Sequence, residues 1–381
     1  MISDPIALAA IIAGITALGF WLDRRYDWAA KVGAGLLIIG IGAVVSNLGL
    51  VPLSSPVYDA VTGPVTSLAI VWLLFAVDLR DLKAAGPLML AAFGIAVVAT
   101  AIGAITATLI FHEGLGHNAW KLAGAMTGTY SGGSLNFVAV GRALGIPPET
   151  FAAAKASDAV MTAIWMGATI VLPLWIGKYY PRPVPQHVTD DPAVEPAAQE
   201  HPFFAEVPLR ILDISILVTL AFALILAANG MAKLVPSVPS VLWLTTFALV
   251  VGHVPTIANL KGSMQLGTLA LHMFFAIIGI YSRIAEMLKV GPDVFLFTAT
   301  VVLIHGSLTY LGGRVARLDV GTTSVASQAA VGGPASAVAL AVARDWPALV
   351  LPGIVAGLLG YAAGNYVAFG VAYLMRAIVG G

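Results

Sequence analysis

Cysteine is absent from the 381 residues, which removes disulfides, thiolate metal sites, iron–sulfur clusters and cysteine nucleophiles together. Charge is nearly as scarce. Only 10% of the residues are Asp, Glu, Lys or Arg, the two signs balance at 19 each, and 59% are hydrophobic. A soluble domain carries roughly 25% charged residues, so a single water-soluble core is excluded and a lipid bilayer is the solvent the chain suits. No basic excess points to nucleic acid, which is therefore not expected as a partner. No G-x-x-x-x-G-K-[ST] phosphate loop is present, so ATP is not a direct drive within this polypeptide. His112-Glu113 with His117 misses H-E-x-x-H by one residue, which argues against a zinc protease site. The expectation is a protein that is not an enzyme and has no cofactor beyond a coupling ion.

What is there is a series of apolar runs. Crossing about 30 Å of hydrocarbon takes about 20 helical residues, and runs of that scale lie near 5–22, 30–50, 56–78, 86–111, 122–144 and 151–177. The first follows no positive n-region and meets no small-residue cleavage site, so it reads as a span and not as a signal peptide. A polar, proline-rich stretch from Lys178 to Pro208 reads as an exposed linker. Six more runs follow near 209–228, 236–253, 264–282, 293–312, 318–343 and 347–377. The expectation is an all-α polytopic membrane protein with about twelve (11–13) transmembrane helices, organised as a first repeat over 1–178, a linker over 179–208 and a second repeat over 209–381. Arg24, Arg25 and Lys31 follow the first span, and Arg80 and Lys83 the third, so the positive-inside rule puts the N-terminus outside and the 23–31 loop in the cytoplasm.

The halves repeat each other. Gly132-Gly133-Ser-Leu-Asn136-Phe-Val-Ala-Val interrupts the fifth run, and Gly332-Gly333-Pro334-Ala-Ser336-Ala-Val-Ala-Leu interrupts the eleventh, 200 residues later. Leu82-Lys83-Ala-Ala-Gly86-Pro87 and Leu288-Lys289-Val-Gly291-Pro292 open the fourth span of each half. Paired glycines, with proline in the second copy, break a helix in mid-membrane. The freed backbone groups cannot face lipid and must line a protein-enclosed cavity, an arrangement suited to an ion and a small charged solute. Taken singly, such glycines serve close helix packing; two motifs in register, each beside hydroxyls and an amide, favour a site. Inverted repeats need an odd number of crossings between equivalent points, and six plus six is even. A miscounted span, a re-entrant or extra helix, or parallel repeats would each account for that.

Candidate site residues follow from this placement. Asp158 lies within the sixth span, and buried carboxylates mark ion or proton pathways; Lys155, three residues earlier, is on the same helix face and in reach to pair with it. Thr129, Ser131, Ser134 and Asn136 from the first break, with Ser324, Ser327, Gln328 and Ser336 from the second, offer the neutral oxygens a hard cation prefers. Sodium is expected at Asn136, Asp158 and Gln328, with proton coupling as the alternative. His272 and His305 also fall within spans, where a histidine titrates or bonds a neighbour.

The segments Ser46-Asn-Leu-Gly-Leu-Val-Pro, Gly128-Thr-Tyr-Ser-Gly-Gly-Ser-Leu-Asn-Phe-Val-Ala-Val140 and Ala326-Ser-Gln-Ala-Ala-Val-Gly-Gly-Pro-Ala335 resemble a family catalogued as a domain of unknown function, number 819. That family looks like a branch of the cation:proton antiporter and anion transporter superfamily, with sodium/proton antiporters and bile-acid:sodium and glutamate:sodium symporters among its relatives. The resemblance implies inverted repeats, two crossed discontinuous helices, a core domain moving against a panel domain, a homodimer, and a place in the bacterial cytoplasmic (inner) membrane. Phe75-Ala-Val-Asp78-Leu-Arg80-Asp-Leu82 looks like the loop closing the antiporters' third span. Asp158 falls where the antiporters carry their ion-binding acids, but Ser157 stands where they have a second acid or Asn. This departure favours sodium-driven symport of a small organic solute, expected to be an anion, over antiport. An ion channel, from the filter-like Thr127-Gly-Thr-Tyr-Ser-Gly, is the second reading, and an intramembrane hydrolase pairing Ser131 with His305 is the third.

Overall fold

The computed structural model describes residues 2–75, 77, 82–181, 183–184, 207–281 and 284–379. Most of the expected linker, and the Phe75–Leu82 loop beyond its ends and Val77, lie outside the described residues. Among the described residues the regular structure is helical. The first half runs through α1 (Pro5–Arg25), α2 (Asp27–Val32), α3 (Ala34–Asn47), α4 (Pro56–Ala60), a π-turn at Val61–Val65, α5 (Thr66–Phe75), α6 (Leu82–Leu115), α7 (Ala119–Gly132), α8 (Ser134–Ala143) and α9 (Pro148–Ile176). The second half runs through α10 (Ile211–Leu234), α11 (Ser240–Gly252), α12 (Pro255–Ala258), α13 (Ser263–Tyr281), α14 (Ile284–Val315), α15 (Val320–Ala343) and α16 (Val350–Val379). Large apolar side chains point outward, as with Ile211 at 86% exposure and Leu234 at 77%. A water-soluble surface rarely tolerates so much of this, and a bilayer solvates it.

Neither break runs on as a single interrupted span. Each doubles back. Lys121 Nζ donates to the Gly145 carbonyl at 2.9 Å, although a continuous helix would hold those residues about 36 Å apart at 1.5 Å per residue. Gly133, at φ 80°, makes the reversal at the tip. In the second half, a methyl group on Gly353 of α16 would lie 2.7 Å from Val325 and 3.1 Å from Ala337, residues about 18 Å apart along an unbroken helix. Gly333, at φ 74°, is that tip, inside α15. The hairpins also close alike. Gly145 (φ 63°) and Asp345 (φ 54°) sit 200 residues apart in the left-handed region. Ile146 N donates to Gly141 O at 3.0 Å as Trp346 N does to Ala341 O at 2.8 Å.

This settles the parity. α1, α3, α4–α5, α6 and α9 cross in the first repeat, and α10, α11, α13, α14 and α16 in the second, with one re-entrant hairpin in each. Eight segments among the described residues are long and apolar enough to cross; the third, Lys83–Gly132, takes in the first hairpin's entering arm, and α3 and α11 are shorter apolar helices. With α3 and α11 counted, each repeat has five crossings, an odd number that fits inverted repeats. Close contacts agree. Gly103 meets Val301, Gly114 meets Asp293 and Gly312 meets Ile95, so α6 and α14 run antiparallel. Gly35 meets Phe275, while Gly42 meets Gly279 and Ile280, so α3 and α13 run parallel. Arg24, Arg25, Lys83, Lys178, Arg210, Lys261, Arg314, Arg317 and Arg344 gather at the end where α1 finishes and α16 begins, the basic face. Lys121, Arg142, Lys233 and Arg376 lie toward the opposite face.

The helices sort into two groups. α3 packs on α13 as α11 packs on α5, and α1 lies beside α13 as α10 lies beside α5, forming one group. The hairpins pack with α6, α9, α14 and α16 in the other. A glycine at 360 makes the second group possible. A methyl group there would lie 2.5 Å from Ser131 O and 2.9 Å from Gly132 Cα, so the first hairpin's tip touches the backbone of α16.

Candidate functional site

The hairpins enter from opposite faces. Along α16, the first hairpin's base meets Ala368 and Ala372 and its tip meets Gly360, while Pro334 meets Gly357 and the second hairpin's base meets Leu349, just before the helix starts. Gly133 and Gly333 both lie against the Tyr361 ring, the latter 3.1 Å from its hydroxyl measured from a built methyl position. The tips therefore meet halfway along α16. The second arm of each hairpin begins at its tip, so two helix N-termini converge there.

Beside the tips lies an ion pair within a span. Lys155 Nζ donates to Asp158 Oδ2 at 2.8 Å and to Ser134 Oγ at 2.7 Å, and Thr162 Oγ1 donates to Asp158 Oδ1 at 3.2 Å. The two charged side chains are 12% and 7% exposed, nearly buried but reached by solvent. They line a cleft of about 440 Å³ that runs from Ala30 and Val32, at the basic face, down to Thr129, Ser134, Gly332 and Ser336 at the tips. A second space of about 350 Å³ lies on the other side of the tips, against Thr268, Leu271, His272 and Tyr361.

The expected site residues thus divide. Thr129, Ser134, Asp158 and Ser336 line the cleft together with Gly133 and Gly332. Ser131, Asn136, Ser324, Ser327 and Gln328 are buried behind it. Asn136 Nδ2 donates to Gly360 O at 2.9 Å, which leaves its Oδ1, like Ser131 Oγ, buried with no hydrogen-bond partner. Gln328 accepts from Thr169 at 3.2 Å. Each hairpin holds one carboxamide between its arms, and the two come from opposite arms. Asn136 packs on Gly128, and Gln328 packs near Ser336, where offsets of 200 pair Asn136 with Ser336 and Gly128 with Gln328. Sodium ligands at Asn136, Asp158 and Gln328 as one set would have to draw on three different elements, α8, α9 and α15. Ser324 bonds Tyr310 and Val320 O.

His305 is fully buried in a bonded chain. Trp165 Nε1 donates to Ser327 Oγ at 3.0 Å, Ser327 lies 2.8 Å from His305 Nε2, and His305 Nδ1 lies 2.8 Å from Thr100 Oγ1, which donates to Tyr130 O at 2.8 Å. One ring proton, on Nδ1, completes this chain from donor to acceptor. The ring ties α6 and α14 to both hairpins, and the Ser131–His305 pair a hydrolase would need is not formed. His272 Nδ1 lies 2.8 Å from Thr268 O.

Sequence reasoning missed the Lys155–Ser134 contact, which joins α9 to the first tip, and also Tyr361 and Arg142. Tyr361 carries one signal in the sequence: it lies in the long apolar run after the second glycine motif, as Asp158 does after the first.

The pattern that defines the family described as protein of unknown function (DUF819) matches residues 10–378. An uncharacterized membrane protein of Bacillus subtilis (strain 168), YjcL, is 30% identical over 379 residues, covering 96% of this chain and 95% of that protein.

Proposed function

The chain belongs to the DUF819 family, and we propose that it is an ion-coupled secondary active transporter that carries a small anionic solute with sodium by alternating access. The observation that carries this reading is the meeting of two oppositely inserted hairpin tips beside a Lys–Asp pair, in a cleft reached from the basic face. By the positive-inside rule that face is cytoplasmic. Lys155 spends two of its three donors on Ser134 and Asp158 and keeps one for a solute anion, which the converging helix N-termini also favour.

The pair supplies the coupling. In the empty site each charge neutralises the other. An anion that recruits Lys155 leaves Asp158 needing a new cation, because an unpaired, nearly buried charge is costly, by about 1–3 kcal/mol where solvent reaches it. The tips therefore move either empty or loaded with both. Asn136 Oδ1 and Ser131 Oγ are further oxygens without partners at the first tip, fit for a hard cation. The core group carries the tips, and the group of α1, α3, α5, α10, α11 and α13 is the panel it moves against.

Thermal stability of the purified protein, with sodium titrated against choline at constant ionic strength, tests this. Saturating sodium at 100 times its dissociation constant adds roughly 2.7 kcal/mol to the native state. A saturable, sodium-specific shift that is lost in Asp158→Asn supports the site. A shift that follows pH and not sodium replaces sodium with the proton as coupling ion, and no shift with either ion refutes the assignment.

A further inference from the structure

A further cavity, of about 430 Å³, lies on the side away from the basic face, where the returning arm of the first hairpin meets the panel. Its polar lining is Ser67 of α5, Asn229 of α10, Ser240 of α11 and Arg142 at the end of α8; Ile70 and Leu244 form apolar wall. Arg142 is the feature that needs explaining. Its Nη1 donates to Ser67 Oγ at 3.0 Å, and among the described residues no carboxylate pairs with it. A guanidinium has five donors in a fixed fork that matches a carboxylate two bonds at a time. Partly buried charges are as a rule paired, because leaving one unpaired is costly. Here the guanidinium faces a walled space whose size falls in the range of about 300–1,000 Å³ that small-molecule sites occupy.

We propose that this cavity binds a small organic carboxylate, held bidentately by Arg142, with Asn229 and Ser240 as neutral hydrogen-bonding groups around it. The site is separate from the cleft at Lys155. It straddles the joint between the two helix groups: Arg142 comes from the hairpin and the remaining polar groups from the panel. A carboxylate there bonds both sides of the joint on the face opposite the cytoplasmic one. The proposal stands whether or not the central site carries a solute.

The test is chemical modification of Arg142 by phenylglyoxal in the purified protein, read on the peptide containing it by mass spectrometry, with and without acetate, succinate or glutamate. Arg142 is expected to react, and at least one of the three carboxylates to slow it several-fold in a saturable way. The protection is expected to persist in Lys155→Gln, or in Lys155→Gln/Asp158→Asn if the single variant does not fold, since it does not depend on the central cleft. Three results overturn the proposal: an unreactive Arg142, equal reaction with and without all three probes, or protection that disappears with Lys155.

Discussion

Replacing Gly360 by alanine puts a methyl group where the tip of the first hairpin now rests. It would lie 2.5 Å from Ser131 O, 2.9 Å from Gly132 Cα and 3.1 Å from Phe93 Cζ. Two of these neighbours are backbone, and the third is a buried ring at 3% exposure, so none gives way cheaply. Overpacking of this kind costs about 1–3 kcal/mol. Pushing the hairpin away also endangers the bond from Asn136 Nδ2 to Gly360 O, worth about 1 kcal/mol. Against this stands the gain of alanine over glycine in a helix, about 0.8–1 kcal/mol. Gly370 is the control. It lies on the same helix with nothing within 4 Å of the added carbon, so Gly370→Ala collects the helix gain alone. The two variants are expected to differ by about 2–4 kcal/mol from these terms, with Gly360→Ala the less stable. Thermal unfolding in detergent, followed by intrinsic fluorescence, measures the difference. Equal melting of the two variants would show that the tip does not touch α16 there.

The lack of native cysteine makes single and paired cysteines clean reporters. Asn118→Cys and Asp345→Cys, at the bases of the two hairpins, are expected to react with an impermeant maleimide from opposite sides of sealed vesicles; labelling from one side would refute the inverted repeats. A bismaleimide of about 10 Å reach is expected to join Lys121→Cys to Leu144→Cys, which an unbroken helix would hold about 34 Å apart. Its failure would restore a straight-through break. For the Lys155–Asp158 pair, each single variant, Lys155→Gln and Asp158→Asn, is expected to lose about 1–3 kcal/mol, below the 3–5 of a fully buried pair because the cleft admits solvent. The double variant is then less destabilised than the sum of the two, and exact additivity in the unfolding cycle would mean that the pair is not coupled.

Much of this was legible in the residues. Composition and run length gave an all-helical membrane chain, and the glycine pairs 200 residues apart located both tips. What could not be read was the reversal at each tip. The stretch from Ala119 to Ala143 is long enough for one broken span or for a hairpin of half-depth arms, with the same length and hydropathy either way. The distinguishing sign was weaker: Gly145 and Asp345, two residues suited to the left-handed region, recur at the same offset. Lys155 and Asp158 could be paired from their spacing on one helix. Their contact with Ser134, and the opening of Arg142 onto α5, α10 and α11, join elements far apart in the chain, and no local pattern encodes such pairings.

Alternating access at the tips is the central claim, and Ala159, which lines the cleft beside Asp158, reports on it directly. Single-cysteine Ala159→Cys in sealed proteoliposomes of known orientation would be exposed to an impermeant maleimide from one side at a time, with and without sodium. The account predicts labelling from the basic face in the conformation described, labelling from the opposite face in a second population, and a sodium-dependent shift between the two. Labelling from only one face under every condition would contradict it, and equal, sodium-insensitive labelling from both would mark a channel in its place.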